Sequence, residues 1–208
     1  GGNYQITVTA SNQYGQSQEI VYLRVSEING FTHSIQLGLS GYSGSQPLTN
    51  FPMLVRMNPT LDANFSLNSF ASTEANDLRF FDDLGRSLPY EIESIDFEKE
   101  ELIAWVRVAE LANDRTIFAY WGNEDLSAKA PEFSTDGSTW NAAYRGVWHL
   151  SPVSICNTLT DSTIYRNHAQ NIMGSTDINS MFGAGRYLVG GGEQYVKVPK
   201  SYSLNELG

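Results

Sequence analysis

Apolar and polar residues alternate with a period of two through the central stretch from Asn76 to Trp121. Leu78 and Phe80 alternate with Asp77, Arg79 and Phe81. Leu88, Tyr90 and Ile92 occupy one parity, and Glu91 and Glu93 the other. Leu102, Ala104, Val106 and Val108 share a face, and Ile117, Ala119 and Trp121 stand against Phe118 and Tyr120. Asp82-Asp83-Leu84-Gly85 supplies a turn, with Asp at its start and Gly where φ must turn positive. Alternation, β-branched and aromatic enrichment, and turn residues between the runs predict four successive strands in a meander. Leu78, Phe80, Tyr90, Ile92, Val106, Val108, Ile117 and Ala119 are the expected core.

The same period governs the first residues. Tyr4, Ile6, Val8 and Ala10 alternate with Gln5, Thr7 and Thr9, a turn falls at Asn12 to Gly15, and Glu19 to Val25 forms a second run. This predicts a hairpin that pairs Ile6 and Val8 with Val21 and Leu23. Phe31–Leu39 and Phe51–Met57 read as further strands, separated by a Gly/Ser/Pro loop over Gly41–Thr49. Pro52 places the second of them at a sheet edge. Asn58 to Glu74 has no clear period. Leu126 to Ala143 is polar and reads as a linker with one helical turn near Ser127–Ala130.

Three groups of words resemble known modules. NDLRFFDDLGRSLPYEIE, then AWVRVAEL, then TIFAYWGN, preceded by LSGYSGSQPLTNFPMLVRM, resemble a bacterial and archaeal family of extracellular modules, domain-of-unknown-function family 2341, from about Phe31 to Ala128. The family has no agreed biochemical activity, so the resemblance implies a kind of module and no mechanism. YQITVTASNQYG resembles the last two strands of a bacterial immunoglobulin-like module. YRGVWHL, LTDSTIYRNHA and GAGRYLVGGGEQYVKVPKSYSLNELG resemble the opening of a laminin-G or concanavalin-A-like lectin domain. Ile164, Tyr165 and Arg166 stand where that pattern carries glycines. The expected organisation is therefore an immunoglobulin-like hairpin over 1–27, a central β-sandwich over 28–128, and a linker with the first lectin-like strands over 129–208. The fold class is all-β: antiparallel sandwich modules in tandem, the terminal ones incomplete, in a segment of a longer modular protein.

Charge narrows the partners. The 208 residues carry a formal net charge of −10, and the 13 basic residues are scattered singly. Without a basic stripe, nucleic acid is not an expected partner. An acidic surface suits solubility and divalent cations alike. The single cysteine, Cys156, rules out an intrachain disulfide framework. No apolar run approaches the ~18 residues that span a bilayer, so no membrane insertion is expected within this chain.

Candidate chemistry is sparse. Glu91 and Glu93 share a strand face with Cα atoms ~6.5 Å apart, a separation compatible with glycoside hydrolysis. Yet Glu91-Ile92-Glu93-Ser94-Ile95-Asp96 does not reproduce the Glu-x-Asp-x-x-Glu of concanavalin-A-like glucanases, and a polar strand face is the simpler reading. His33, His149 and His168 have no ligand spacing, and Trp148-His149 reads as sandwich core. No Gly-x-Ser-x-Gly or Gly-x-Gly-x-x-Gly occurs. Asp161, with Asn167 six residues on, is the calcium candidate, since calcium takes hard oxygen ligands from such loops; an Asp/Asn-capped turn is the alternative. Trp105, Phe118 and Tyr120 lie on the second parity. They are either buried under a covering layer or exposed as an aromatic platform for sugars.

The expected function is a non-enzymatic segment of a secreted or cell-surface multidomain protein, structural or adhesive, with polysaccharide or cell-surface glycan and neighbouring domains as partners. Two alternatives stand beside it. One is an accessory module of a polysaccharide-degrading enzyme. The other is a periplasmic sensor arm of a membrane transport protein.

Overall fold

Two antiparallel sheets face one another across the apolar parity of the central stretch. The computed structural model describes residues 2–12, 15–25, 28–150, 158–172, 176–179, 183–188 and 194–205. The strands in chain order begin with β1 (Gly2–Asn12) and β2 (Gly15–Val25), followed by β3 (His33–Leu39) and β4 (Leu48–Met57). The central set is β5 (Arg79–Asp82), β6 (Ser87–Leu88), β7 (Tyr90–Asp96), β8 (Glu101–Leu111) and β9 (Arg115–Trp121). After it come β10 (Thr158–Leu159), β11 (Ala169–Ile172), β12 (Thr176–Asn179), β13 (Ala184–Tyr187) and β14 (Tyr195–Lys197). The chain is all-β.

One sheet runs β3-β9-β5-β6 and the other β4-β8-β7. The four central runs therefore do not form the expected meander. The run from Leu88 to Ile92 divides at Pro89. Leu88 pairs with Phe80 in the first sheet, and Tyr90 pairs with Val106 in the second. Proline has no N–H to continue a ladder, while its carbonyl still accepts the Arg107 N–H at 2.9 Å. The chain thus crosses between sheets without changing which side faces the core. The turn at Asp82–Gly85 is as read from the sequence: Asp82 Oδ1 accepts the N–H groups of Leu84 and Arg86, and Gly85 has φ +66°.

The expected core is found. Leu78, Phe80 and Ala119 are fully buried, with Val106, Val108, Ile117 and Tyr90 beside them and Ile92 packed at the margin. Phe81, on the other parity, is buried as well, at 2% exposure, so part of the outer face is apolar too. Tyr90 stands in T-shaped contact with Phe80 and donates its hydroxyl to Leu78 O at 2.6 Å. Burial pushes its phenol well above the usual range. Asp77, fully buried, accepts N–H groups from Ala71, Gly122 and Asn123, and so ties the end of β9 to the loop before β5. Pro52 lies on β4, an edge strand as expected.

The first hairpin is found with full register. Ile6 pairs with Val21, Tyr4 with Leu23 and Val8 with Glu19. Residues 13–14 of its turn lie outside the described residues. The helical turn expected at Ser127–Ala130 is replaced by two 3₁₀ turns, Glu124–Leu126 and Glu132–Ser134. The Asn123 side chain caps the first by accepting the Asp125 N–H, and so draws it towards the end of β9. In the C-terminal region β10, β11 and β14 form a three-stranded sheet, and β12 pairs with β13. Tyr187, Leu188 and Tyr195 are exposed there. Cys156, Val189 and Gly190 to Gly192 lie outside the described residues.

Candidate functional site

The polar face of β7 is where the C-terminal region meets the sandwich. Glu93 is the extra residue of a β-bulge: Ile92 pairs with Ala104 and Ser94 with the next residue, Ile103. A bulge bends the strand and re-aims its side chains. Here it sets Glu91 and Glu93 on the outer face beside Trp105, and shifts the inward parity from Ile92 to Ile95. Trp105 donates its indole N–H to Glu93 Oε2 at 2.9 Å.

Three separate points of the chain close over these carboxylates. Trp140 donates its indole N–H to Glu91 Oε2 at 2.7 Å, and Ser162 Oγ donates to Glu91 Oε1 at 2.5 Å. His149 sits between the two glutamates. Its Nδ1 donates to Glu93 Oε2, and its Nε2 lies 3.3 Å from Glu91 Oε1. That second approach is out of line for a hydrogen bond, since Nε2 is buried without an aligned partner. It acts as a charge contact. Burial by itself would lower the imidazole pKa, but the contacts and charges of Glu91 and Glu93 override it and hold His149 up at about 9. An imidazolium bracketed by two carboxylates is thus the charge arrangement at neutral pH. Trp140 packs on Trp105 with ring centroids 5.3 Å apart and on His149 at 5.9 Å.

A cleft of about 280 Å³ opens beside this cluster, lined by Glu91, Glu93, His149, Thr158, Thr160 and Ser162 among others. It falls just below the ~300 Å³ at which ligand pockets begin. Glu93 Oε1 faces Gly183, where an added Cβ would come within 2.6 Å of it. The cluster's donors and acceptors meet one another across the join. Its direct chemical effect is to fasten the region after Trp140 to β7.

Each residue singled out from the sequence has a definite place. Trp105 is half-buried under Trp140. Phe118 and Tyr120 lie on the outer face of the opposite sheet, so the three do not form one platform. Asp161 is fully buried, and its carboxylate accepts the N–H groups of Val147, Thr163 and Asn167 and the Thr163 hydroxyl. Asn167 turns its side chain to Arg145 O and Ser203. The two residues organise a loop in the manner of the Asp/Asn-capped turn. Among the described residues no group of three or more His, Cys, Asp or Glu is arranged to hold a metal ion. His149 lies at the join and not in the sandwich core. His33 stacks on Trp121, and His168 Nδ1 accepts the Asp161 N–H.

Trp140, His149 and Ser162 were not legible as partners of the glutamates. One signal existed: a lone Trp in a polar, small-residue stretch. Trp140 is only 5% exposed, and a large aromatic in such a stretch needs a surface to cover.

Comparison with the curated proteins and with the solved structures returns no match. The family match begins at Glu74, well inside the Phe31 start of the resemblance read from the sequence, runs through Trp140, beyond its Ala128 limit, and takes in both glutamates and Trp105. Residues 74–140 match the model described as Domain of unknown function (DUF2341), and over that stretch the chain is similar to the family.

Proposed function

We propose that the chain is a non-enzymatic, structural or adhesive segment of a secreted or cell-surface multidomain protein, with carbohydrate as its ligand class. The observation that supports this reading is the engagement of Glu91 and Glu93. They are two carboxylates that face one imidazole and line one cleft. Both oxygens of Glu91 and Oε2 of Glu93 are occupied by indole, hydroxyl and imidazole donors, and Glu93 Oε1 faces the backbone at Gly183. A general acid or base needs a free oxygen within reach of its substrate, and here the groups act as a fastening. Consecutive β-modules fixed to one another by such a join suit a protein that must hold a shape outside the cell. Binding to a panel of immobilised glycans, together with release of reducing ends from the same polysaccharides, tests the reading. Retention without hydrolysis is the expected result. Hydrolysis that Glu91→Gln abolishes would overturn the non-enzymatic assignment, and failure to bind any glycan would remove carbohydrate as the ligand class.

A further inference from the structure

The two outer faces of the sandwich differ. The face of β4-β8-β7 carries Glu91, Glu93 and Trp105 and is overlain by Trp140 and His149. The face of β3-β9-β5-β6 is built from two cross-strand rows. Ser34, Tyr120 and Arg79 form one, and Gln36, Phe118 and Phe81 form the next. Gly38 and Thr116 continue the face towards the end of β3. Phe81 is the floor, at 2% exposure, and Tyr120 packs edge-on to it with centroids 5.7 Å apart. Phe118 and Tyr120 are half-buried, 6.5 Å apart between centroids and tilted by 34°. Ser34 and Gln36 are exposed beside them.

The charge of this face sets its ligand. The chain holds 23 acidic residues, yet none of these outward strand positions is Asp or Glu. The one cation among these positions, Arg79, is turned back, donating through Nη1 to Asn76 O and Leu78 O. What remains is the neighbouring rings of Phe118 and Tyr120, with Phe31 packed against Tyr120 at 5.8 Å between centroids, flanked by a hydroxyl and a carboxamide. An aromatic ring with a polar tip suits a ligand that is apolar on one side and wet on the other. A pyranose has that form, with a C–H face to lie on a ring and a rim of hydroxyls for neutral hydrogen-bonding groups.

We infer that the outer face of the β3-β9-β5-β6 sheet is a binding site for a neutral glycan chain, with Phe118 and Tyr120 stacking on adjacent sugar units and Ser34 and Gln36 bonding their hydroxyls. The inference rests on the carbohydrate part of the proposed function and gives it a location. Trp105 takes no part, because Trp140 covers it.

Affinity electrophoresis through neutral and acidic polysaccharides, with the whole chain, tests it. Phe118→Ala and Tyr120→Ala remove the stacking surface. Gln36→Glu and Gly38→Trp block the face while sparing the fold: Gln36 is exposed, and a Cβ added at Gly38 meets no heavy atom within 4 Å. The expected result is retardation of the unsubstituted chain by a neutral polysaccharide and at least a tenfold loss of affinity in all four variants, with Gln36→Glu and Gly38→Trp melting as the parent does. Retardation that survives Gln36→Glu and Gly38→Trp would overturn the site and leave the carbohydrate reading standing. Retardation only by acidic polysaccharides would overturn the neutral ligand. No retardation by any polysaccharide would overturn the site and the carbohydrate reading together.

Discussion

Trp140 and Glu91 lie 49 residues apart in sequence, yet the Trp140 indole N–H reaches Glu91 Oε2 at 2.7 Å. The bond crosses from the stretch after β9 to the polar face of β7. It converts what would be a solvated strand face into a packed one, since Trp140 also covers Trp105 and contacts His149 and Tyr144. A partly buried carboxylate is tolerated there because its oxygens are met by donors.

Removing this indole separates its two contributions. Trp140→Phe keeps a ring over Trp105 but leaves Glu91 Oε2 without its donor, which costs about 1–3 kcal/mol. Trp140→Ala also removes the packing and costs about 3–5 kcal/mol. Urea unfolding followed by circular dichroism measures both. Equal losses for the two variants would show that packing contributes nothing beyond the hydrogen bond.

The join has a pH dependence of definite sign. His149 is held at about 9 in the folded chain, against ~6.5 when unfolded. A raised pKa contributes stability that is complete below about pH 6.5 and is lost as pH rises through about 9. The full contribution is about 3 kcal/mol. The groups that face the imidazole are Glu91 and Glu93, with the Trp140 ring against it. Thermal melting between pH 6 and 9.5 should show falling stability that flattens in His149→Gln. Tyr90, also raised, adds a loss of the same sign only above about pH 10, outside that window.

The sandwich was legible because its signal is local. Period two places Phe80, Tyr90, Val106 and Ile117 on one side wherever the strands go. Strand partners were less legible: Leu88 and Tyr90 share a parity but not a sheet, and Pro89 reads as a turn residue until the ladder is seen. The join was not legible at all. Its contacts span 49 residues to Trp140 and 71 to Ser162, and the bulge at Glu93 leaves no mark in an alternating sequence. Parity did place Phe118 and Tyr120 opposite the core, but not whether anything covers them. Trp105, on the same parity, is covered by Trp140, while Phe31 packs against Tyr120 on the opposite face.

The core makes a sharper contrast between loss of volume and loss of one bond. Phe80 is fully buried, so Phe80→Ala should cost about 3–5 kcal/mol. Tyr90→Phe keeps the volume and deletes the hydroxyl that Leu78 O accepts. That carbonyl keeps the Arg79 guanidinium as a donor, so the change removes one hydrogen bond, at a cost of about 0.5–1.5 kcal/mol. Chemical denaturation should rank Phe80→Ala as the more damaging; the reverse order would mean that the site around Phe80 collapses to fill the space.

Glycine at 137 is required by its surroundings. It has φ +95°, and an added Cβ would lie 2.7 Å from Ile164 N and 2.9 Å from Thr163 C. Both are backbone atoms and cannot swing away. Gly137→Ala therefore combines a strained conformation, at about 1–2 kcal/mol, with a clash that pushes the Asp161–Asn167 loop off the turn before Trp140. The expected outcome is a loss of at least that size, together with a change in tryptophan fluorescence as Trp140 shifts. A variant with parental stability and emission would show that this loop is not packed against Gly137.

Glu93 and His149 should prove energetically coupled. The Glu93 side chain is 5% exposed and that of His149 14%, so each is held where water does little for it. Taking away one partner leaves the other charged and poorly solvated, which typically costs about 3–5 kcal/mol. Glu93→Gln alone strands the imidazolium against Glu91. His149→Gln alone strands two carboxylates two residues apart. The double substitution removes both faults and should cost less than the sum of the singles by about 0.5–3 kcal/mol. Equilibrium unfolding of the four proteins at pH 7 gives the cycle directly. Repeating it at pH 9.5, above the His149 pKa of about 9, should reduce the coupling, because the charge contact is then weakened while the packing of Trp105 and Trp140 remains. Strict additivity at pH 7 would mean that the two side chains meet without holding β7 to the region beyond Trp140, and the fastening role of the glutamates would fall with it.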